Sequence, residues 1–325
     1  MGPTPENRVE RKSTSPERAS LMLQAAEMYF LEDSSRAAIG EALGISRFRV
    51  ARLLKEAREI GLVNITLMRP DGLDPERAKK LKSAWNLDRA IVVPWSPEID
   101  LLQMLAEAAA SYFVEHVEQA DIVGLPSGRT ASRVARLIRA LPNCTIVQIA
   151  GVAAAASLWE SPTETIRRVT QLTAGPSYPI FAPIVLSTRQ AAETLRRERG
   201  IQDAYAFFPK LTRAMVAIAP WRPGESMIHD SVSPEDQKFV SSFNPAVEVL
   251  ANIIDANGNQ IVTEFSDRSL AISLELLRKV PDVIAVVGGE SRHEAVLAAV
   301  RANFINTLVT DSRTAQFLID AANES

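Results

Sequence analysis

The sequence has few of the residues that disulfides and metal sites require. It contains one cysteine, Cys144, which excludes an intramolecular disulfide and indicates a reducing compartment. The three histidines, His116, His229 and His293, are scattered along the chain and cannot form a conventional structural zinc site with a single cysteine. We therefore expect no metal, and no motif in the sequence indicates another cofactor.

Long hydrophobic runs are also missing. No stretch approaches about 18 consecutive apolar residues, the length that suggests a membrane span, and the N-terminus lacks the pattern of a signal peptide. The hydrophobic content of 46% and charged content of 23% are ordinary for a globular protein. We expect a soluble, cytoplasmic protein with no membrane partner. Its 325 residues allow two or three domains, at about 100–200 residues each.

Basic charge is concentrated in one short segment, although the net charge of the chain is −3. Between Ser46 and Arg58 there are five basic residues and one acid, Glu56. A helix with this charge is suited to docking onto a polyanion such as duplex DNA.

Composition divides the chain into three parts. Residues 1–16 are polar and hold three prolines, which predicts a disordered arm. Residues 69–75 combine two prolines, a glycine and two aspartates, which predicts a joint between domains. The expected domains are therefore residues 17–70 and 71–325.

Residues 17–70 show a helical pattern of apolar positions. It predicts helices over Glu17–Leu31 and Arg36–Leu43, and a third helix that Ser46 caps and that runs to about Ile60. Residues Leu62–Met68 alternate weakly and predict a small strand or rudimentary wing.

The second and third helices have the features of a helix-turn-helix. This motif needs a small residue where the helices cross, a glycine in the turn and apolar residues on the inner face of the second helix. Gly40 and Gly44 supply the first two features, and Ile45, Val50 and Leu53 or Leu54 supply the third. In a helix-turn-helix the outer face of the third helix carries the candidate DNA-binding residues, which are Ser46, Arg47, Phe48, Arg49, Arg52 and Lys55. The alternative interpretation is a helical hairpin whose basic face is solvated.

Arg47 and Arg49 lie nearest the start of this helix. They are therefore placed to reach base edges in the major groove, where an arginine can pair with guanine through two hydrogen bonds. Arg52, Lys55 and Arg58 lie further along and are expected to bind phosphates or face solvent.

Residues 71–325 alternate between short apolar runs and amphipathic helical segments. This alternation predicts an α/β domain with a mostly parallel sheet covered on both faces. An Asn-Gly pair within residues 255–260 predicts a local hairpin. The predicted strands cover residues 90–93, 121–125, 144–150, 214–219, 282–287 and 305–310. The predicted helices are Leu101–Val117, Arg129–Ala140, Pro162–Leu172, Thr188–Arg199, His293–Ala302 and Ser312–Ala321.

Two strand-to-helix turns are candidates for binding an anion. Residues 124–130, Gly-Leu-Pro-Ser-Gly-Arg-Thr, and residues 288–292, Gly-Gly-Glu-Ser-Arg, each follow a predicted strand. Backbone N–H groups at a helix start, together with hydroxyl and guanidinium groups, suit a phosphate. Turns at the carboxyl ends of parallel strands converge on one crevice. The turn at residues 124–130, taken alone, is equally compatible with a plain strand-to-helix loop.

The chain resembles the SorC family of bacterial sugar-sensing transcription regulators. Residues 35–65 are similar to the family's DNA reader, with Gly40 and Arg49 as departures. The resemblance extends through most of residues 17–322. It implies a C-terminal domain like the sugar-phosphate isomerase fold (Rossmann-like), a phosphorylated sugar or polyol as effector, and a homo-oligomer, either dimer or tetramer. The effector-binding residues that the turns and the resemblance indicate are Ser127, Gly128, Arg129, Thr130, Gly151, Gly288, Gly289, Arg292 and Asp311.

Two points stay open within this resemblance. Asp311 either binds sugar hydroxyls or caps the helix that starts near Ser312. Residues 245–255 lack the glycines of the corresponding loop in the family and place Glu248 and Asn252 there. The resemblance therefore does not identify the effector.

The sequence therefore predicts a DNA-binding transcriptional regulator of a carbohydrate or polyol catabolic operon. We expect the protein to be a repressor whose repression is relieved when the effector binds. We do not expect an enzyme, because no spacing singles out an acid/base pair among the carboxylates. The alternatives are a sugar-phosphate isomerase-like enzyme with an accessory nucleic-acid module, and a scaffold whose basic helix binds protein.

Overall fold

The computed structural model describes residues 16–30, 32, 34–60, 62–63, 73–98, 100–153 and 162–324. The contacts within the chain divide it into two compact units, Met1–Leu67 and Met68–Ser325. Apart from Pro16, the predicted arm lies outside the described residues, and so do residues 64–72 of the predicted wing and joint. The described helices include none that is long and apolar enough to cross a membrane.

The described part of the N-terminal unit is helical, as predicted. Its helices are α1 (Pro16–Phe30), α2 (Arg36–Ala42) and α3 (Arg47–Glu59). They enclose a small apolar core, because each contributes one buried face. The core residues are Met22, Ala25, Ile39, Val50, Leu53, Leu54 and Ala57.

The turn between α2 and α3 depends on two glycines and two caps. A Cβ atom at Gly40 would lie 2.6 Å from the carbonyl oxygen of Ile45, so only glycine fits this close approach without a shift. Gly44 has φ +67°, a left-handed conformation that glycine adopts without strain. Ser35 caps α2 and Ser46 caps α3 through their hydroxyl oxygens. The helix-turn-helix predicted from these residues is confirmed.

The C-terminal unit alternates strands and helices. Its strands are β1 (Arg89–Val93), β2 (Ile122–Leu125), β3 (Thr145–Gln148), β4 (Ser177–Tyr178), β5 (Arg213–Val216), β6 (Val247–Val249), β7 (Asn252–Ile254), β8 (Gln260–Ile261), β9 (Asp282–Val286) and β10 (Thr307–Asp311). Its helices are α4 (Pro75–Trp85), α5 (Leu101–His116), α6 (Arg129–Leu137), α7 (Pro162–Thr173), α8 (Arg189–Arg197), α9 (Arg199–Tyr205), α10 (Met227–Ser231), α11 (Pro234–Ser241), α12 (Glu264–Asp267), α13 (Leu274–Leu277), α14 (His293–Arg301) and α15 (Ser312–Asn323). Short 3₁₀ turns cover Phe208–Lys210 and Glu290–Arg292.

Seven of the described strands form one parallel sheet in the order β1-β10-β9-β5-β2-β3-β4. Both faces are covered. On β9, for example, Val283 and Ala285 join one apolar core while Ile284 and Val286 join the other. The strands β6, β7 and β8 form a separate antiparallel sheet, and its β7–β8 pair is the hairpin that Asn-Gly predicted.

The strand order creates a crevice at one place in the large sheet. After β2 the chain forms β3, which pairs with one edge of β2. The other edge of β2 pairs with β5, and the chain that follows β5 leads to β9 on the far side of β5. The loops that leave the carboxyl ends of β2 and β5 therefore diverge to opposite faces, which opens a crevice at this switch point. The loops after β2, β5 and β9 lie next to one another.

Helices α9 and α4 of the C-terminal unit were not predicted from the sequence. The helix expected over Thr188–Arg199 is α8, which ends two residues earlier than expected, at Arg197. Glu198 has an extended backbone, and the separate helix α9 that follows it was not predicted. The predicted joint overlaps a helix, because Asp74 is the cap of α4 and Pro75 is its first residue. A proline at this position loses no hydrogen bond and favours a helix start.

The single thiol lies inside the C-terminal unit. Cys144 is 1% exposed, immediately before β3. Burial raises the pKa of its thiol to about 11, and the nearby carboxylate of Asp121 acts in the same direction. The thiol is therefore protonated and unreactive at neutral pH.

Candidate functional site

The outer face of α3 is cationic and exposed. Its inner face packs Val50, Leu53 and Leu54 into the core. Phe48 is 74% exposed, and the guanidinium of Arg47 lies 4.9 Å from the centre of its ring. The residues that share the exposed surface are those that the sequence selected as DNA-binding: Ser46, Arg47, Phe48, Arg49, Arg52 and Lys55.

Ser46 has a local role within this set. Its hydroxyl oxygen accepts a hydrogen bond from the N–H of Arg49 at 3.3 Å, which starts α3 and fixes its first turn. Further along, the guanidinium of Arg18 on α1 donates two hydrogen bonds to the carboxylate of Glu56, at 2.7 and 3.1 Å. This paired contact, together with the core, holds α3 against α1.

In the C-terminal unit, the predicted anion-binding turns lie around the crevice at the switch point. The two turns were expected to converge, and residues of both line a cavity of about 150 Å³. The lining residues are Leu102, Ser127, Gly128, Arg129, Thr130, Ala153, Ile184, Ala217, Ile218, Ala219, Glu225, Met227, Ile228, Glu248, Leu250, Val286, Val287 and Arg292.

The turn after β2 presents the start of α6 to this crevice. Gly128, at φ +123°, precedes the helix, and no side chain of the described residues caps it. The hydroxyl of Ser127 donates to the carbonyl oxygen of Gly151 at 3.2 Å, which leaves its lone pairs available. Arg129 is exposed and Thr130 is half-buried beside it. The N–H groups of this first turn can accordingly face an anion.

Arg292 approaches the same space from the turn after β9. Its Nε atom is buried and has no hydrogen-bond partner among the described residues. The closest carboxylate oxygen is that of Glu225, at 3.9 Å from Nε. Burial lowers the pKa of Arg292, Glu225 opposes this, and the charge of Arg129 adds to the lowering. Two cationic side chains thus lie close enough to interact in one crevice.

Three predicted effector-binding glycines do not line the crevice. A Cβ atom at Gly151 would lie 2.7 Å from the carbonyl oxygen of Ala182, so its small size serves chain packing. At Gly288 a Cβ atom would lie 2.5 Å from the Oδ2 atom of Asp311, and Gly289 has φ +99°. Direct contact of these glycines with an effector stays a prediction. In the structure Gly288 and Gly289 shape the turn after β9, and the carbonyl oxygen of Gly151 accepts the hydrogen bond from Ser127.

Asp311 is fully buried and does not line the crevice either. Its Oδ1 atom accepts hydrogen bonds from the N–H groups of Arg313 and Thr314, at 2.9 and 3.1 Å, and so caps α15. Its Oδ2 atom accepts a hydrogen bond from the hydroxyl of Thr314 at 2.6 Å and another from the N–H of Gly289 at 2.8 Å. Of the two interpretations left open by the sequence, the structure contains the cap, and the carboxylate also fixes the turn that carries Arg292.

Glu248 is a crevice residue that sequence reasoning did not select. Its carboxyl accepts hydrogen bonds from the hydroxyl of Ser226 at 3.0 Å and the N–H of Ala251 at 3.3 Å. It is 6% exposed, and burial raises its pKa to about 7, although the two hydrogen bonds oppose the rise. The sequence did contain a signal for Glu248, because the loop of residues 245–255 that holds it departs from the family pattern.

The backbone beside Glu248 is strained. Leu250 and Ala251 form the turn between β6 and β7 and have φ +54° and +63°. Asn252 holds this turn through its side-chain amide, which donates to the carbonyl of Val249 at 2.9 Å. Left-handed non-glycine residues cost free energy and concentrate at functional sites, which fits the position of Leu250 in the crevice wall.

Across the described residues, no three histidine, cysteine or carboxylate side chains are grouped so as to hold a metal ion.

Comparison with known proteins places the chain in a family. A family model described as "Putative sugar-binding domain" matches residues 73–320. The deoxyribonucleoside regulator of Bacillus subtilis is 26% identical over 310 residues, which cover 94% of this chain and 98% of that protein. The erythritol catabolism regulatory protein EryD of Brucella abortus is 25% identical over 315 residues, covering 94% and 98%.

A solved structure has the same fold. The crystal structure of the full-length sorbitol operon regulator SorC from Klebsiella pneumoniae matches with a TM-score of 0.71 at 22% identity, over 93% of this chain and 99% of that one. All three relatives are named as regulators. The chain belongs to this sugar-binding domain family and has the fold of the SorC-type transcriptional regulators.

Proposed function

We propose that this regulator binds duplex operator DNA through α3 and is controlled by a phosphorylated sugar or polyol that binds in the crevice at the switch point. The observation that carries the proposal is the crevice itself, where Arg129, Arg292 and the uncapped start of α6 meet. An anion there would satisfy the buried Nε atom of Arg292, which no described residue satisfies.

For DNA, α3 enters the major groove with its first turn towards the bases. Arg47 and Arg49 read base edges, while Arg52 and Lys55 contact phosphates. Phe48 offers apolar contact to a thymine methyl group, since it is the most exposed large apolar side chain on α3. Two copies are required for an operator with two-fold symmetry, which supports a homodimer or tetramer.

For the effector, the phosphate lies against the start of α6, where Ser127, Arg129 and Thr130 contribute, with Arg292 opposite. The carboxyl of Glu248, which also lines the crevice, accepts hydrogen bonds from ligand hydroxyls. Gly151, Gly288, Gly289 and Asp311 act by holding the two turns in place. The relatives named for erythritol catabolism and the sorbitol operon favour a carbohydrate or polyol operon as the target.

The effector acts by shifting the population between DNA-competent and DNA-incompetent assemblies, so it must bind the two states with different affinity. We expect a repressor, relieved by the effector, that works in the cytoplasm where operator DNA is found.

A second candidate function is a sugar-phosphate isomerase-like enzyme. The observation that favours it is Glu248, a buried crevice carboxyl with a pKa of about 7, which is suited to a general base. We prefer the regulator because the relatives reported above are named as regulators and because α3 has an exposed cationic face.

The test has two parts. A thermal-shift screen of the full chain against phosphorylated sugars and polyols should identify a ligand that raises the melting temperature by mass action. DNA affinity, measured at several salt concentrations with and without that ligand, should fall steeply with salt and change with ligand. Turnover of the ligand would support the enzyme, and DNA affinity that hardly depends on salt would favour a protein-binding scaffold.

A further inference from the structure

The loop between β5 and α10, residues 217–226, reaches across the crevice to the turn that carries Arg292. The guanidinium of Arg222 donates to the carbonyl oxygen of Ser291 at 2.8 Å. The hydroxyl of Ser291 donates to the Oε2 atom of Glu225 at 3.0 Å. The loop itself is fixed on its other side, because the N–H of Gly224 donates to the carboxylate of Asp230 at 3.0 Å.

The contact between Glu225 and Arg292 is an incomplete one. The same Oε2 atom lies 3.9 Å from Nε of Arg292, which is close enough for electrostatic attraction but too far for a hydrogen bond. The Nη1 atom of Arg292 lies 3.5 Å from the carbonyl oxygen of Gly288, at the limit of a hydrogen bond. Arg292 therefore has a counter-charge, but its buried donor stays unsatisfied.

We propose that Glu225 is an internal anion that competes with the ligand's phosphate for Arg292, so that effector binding exchanges a carboxylate for a phosphate. The inference rests on the function proposed above, because it assumes that a phosphate binds in this crevice. A phosphate monoester carries a charge near −2 at neutral pH and three acceptor oxygens, whereas Glu225 carries −1 and its Oε2 atom is shared with Ser291.

The exchange follows from charge and distance. A phosphate on the start of α6 and Arg292 would lie beside the carboxylate of Glu225, and two anions at such a separation repel each other. Guanidinium–phosphate hydrogen bonds of about 2.7–2.9 Å are stronger than the 3.9 Å contact that they replace. Displacing Glu225 also breaks its hydrogen bond from Ser291, and this loosens the loop that leads into α10. Glu225 thereby sets both the affinity for phosphate and the position of the loop.

The test is calorimetric titration of the full chain with inorganic phosphate and with ribose 5-phosphate at neutral pH. In Glu225→Gln the side chain keeps its shape but loses the competing charge, so both probes should bind roughly fivefold more tightly than to the wild type. Ser291→Ala, which frees Glu225 from its hydrogen bond but keeps the charge, should give a smaller gain. The matched control is Glu290→Gln, because Glu290 lies in the same turn but is exposed and pairs with Arg313 at 3.7 Å; its affinities should equal those of the wild type.

Each other outcome has a separate meaning. Weaker binding by Glu225→Gln would make Glu225 a direct ligand contact and overturn the inference, and unchanged affinity would overturn it as well. A gain of the same size in Glu290→Gln would attribute the effect to general charge. Arg292→Ala tests the proposed function in the same titration. If the wild type and this variant bind both probes equally or not at all, the phosphate site itself is wrong and the inference falls with it.

Discussion

The N–H of Gly289 donates a hydrogen bond to the carboxylate of Asp311 at 2.8 Å, which joins the turn after β9 to the start of α15. Because the same buried carboxylate caps α15, Asp311→Ala should leave several buried donors unpaired and lower the free energy of unfolding by about 2–4 kcal/mol. Denaturation followed by tryptophan fluorescence would measure this, since all four tryptophans lie beyond residue 68. A loss below about 1 kcal/mol would contradict the structural role that we assign to Asp311.

On α3, Arg47→Ala should weaken specific operator binding by roughly 1–3 kcal/mol, as expected for a lost base contact. The measurement is a competition assay on a selected operator fragment and on random DNA. Arg58→Ala, in the last turn of the same helix, is the matched control and should change both affinities only slightly. Equal weakening of Arg47→Ala on the two DNAs would show that Arg47 contacts a phosphate and not a base.

In the crevice, Arg292→Ala should abolish the effector response while leaving DNA binding intact, because the variant loses a cationic phosphate contact but α3 is untouched. The readout is the shift in operator affinity at a fixed effector concentration. Arg313→Ala serves as control, since that guanidinium stacks on the ring of Trp95 at 3.2 Å and does not line the crevice. A normal response in Arg292→Ala would remove Arg292 from the site.

The carboxyl of Glu248 should make stability depend on pH. Its pKa is about 7 in the folded protein against 4.5 for the ordinary group, so the folded state holds the proton more tightly than the unfolded chain. The free energy of unfolding should therefore fall as pH rises from about 4.5 to 7, by up to ~3 kcal/mol from this residue. Denaturant titrations of Glu248→Gln should lack this fall, and the same pH slope in wild type and variant would contradict the assignment.

Much of the fold followed from local patterns. The apolar runs and the helices between them predicted the parallel sheet, because strand and helix periods are properties of neighbouring residues. Helix α4 was missed because the proline and aspartates around its start suggested a linker. Yet Asp74 before Pro75 is also the signal for a capped helix start. Helix α9 was not predicted, because its seven residues make only about two turns and show little periodic pattern.

The site was harder to predict, because its geometry depends on residues far apart in the chain. The two turns were selected because each carries glycines and an arginine, and the structure brings Ser127, Arg129 and Arg292 to one crevice. Glu248 has its raised pKa because of burial that only the tertiary fold creates. Likewise, whether Asp311 faces a ligand or caps α15 depends on where the turn with Gly289 lies.

The single buried cysteine has a practical consequence for studying movement in this protein. Because Cys144 is 1% exposed and protonated at neutral pH, a maleimide reagent should leave it unmodified while the chain is folded. A cysteine introduced at the exposed position of Arg58 could therefore be labelled selectively in the otherwise native sequence. Fluorophores or spin labels placed there would report the spacing between the α3 helices of an oligomer as a metabolite is titrated in.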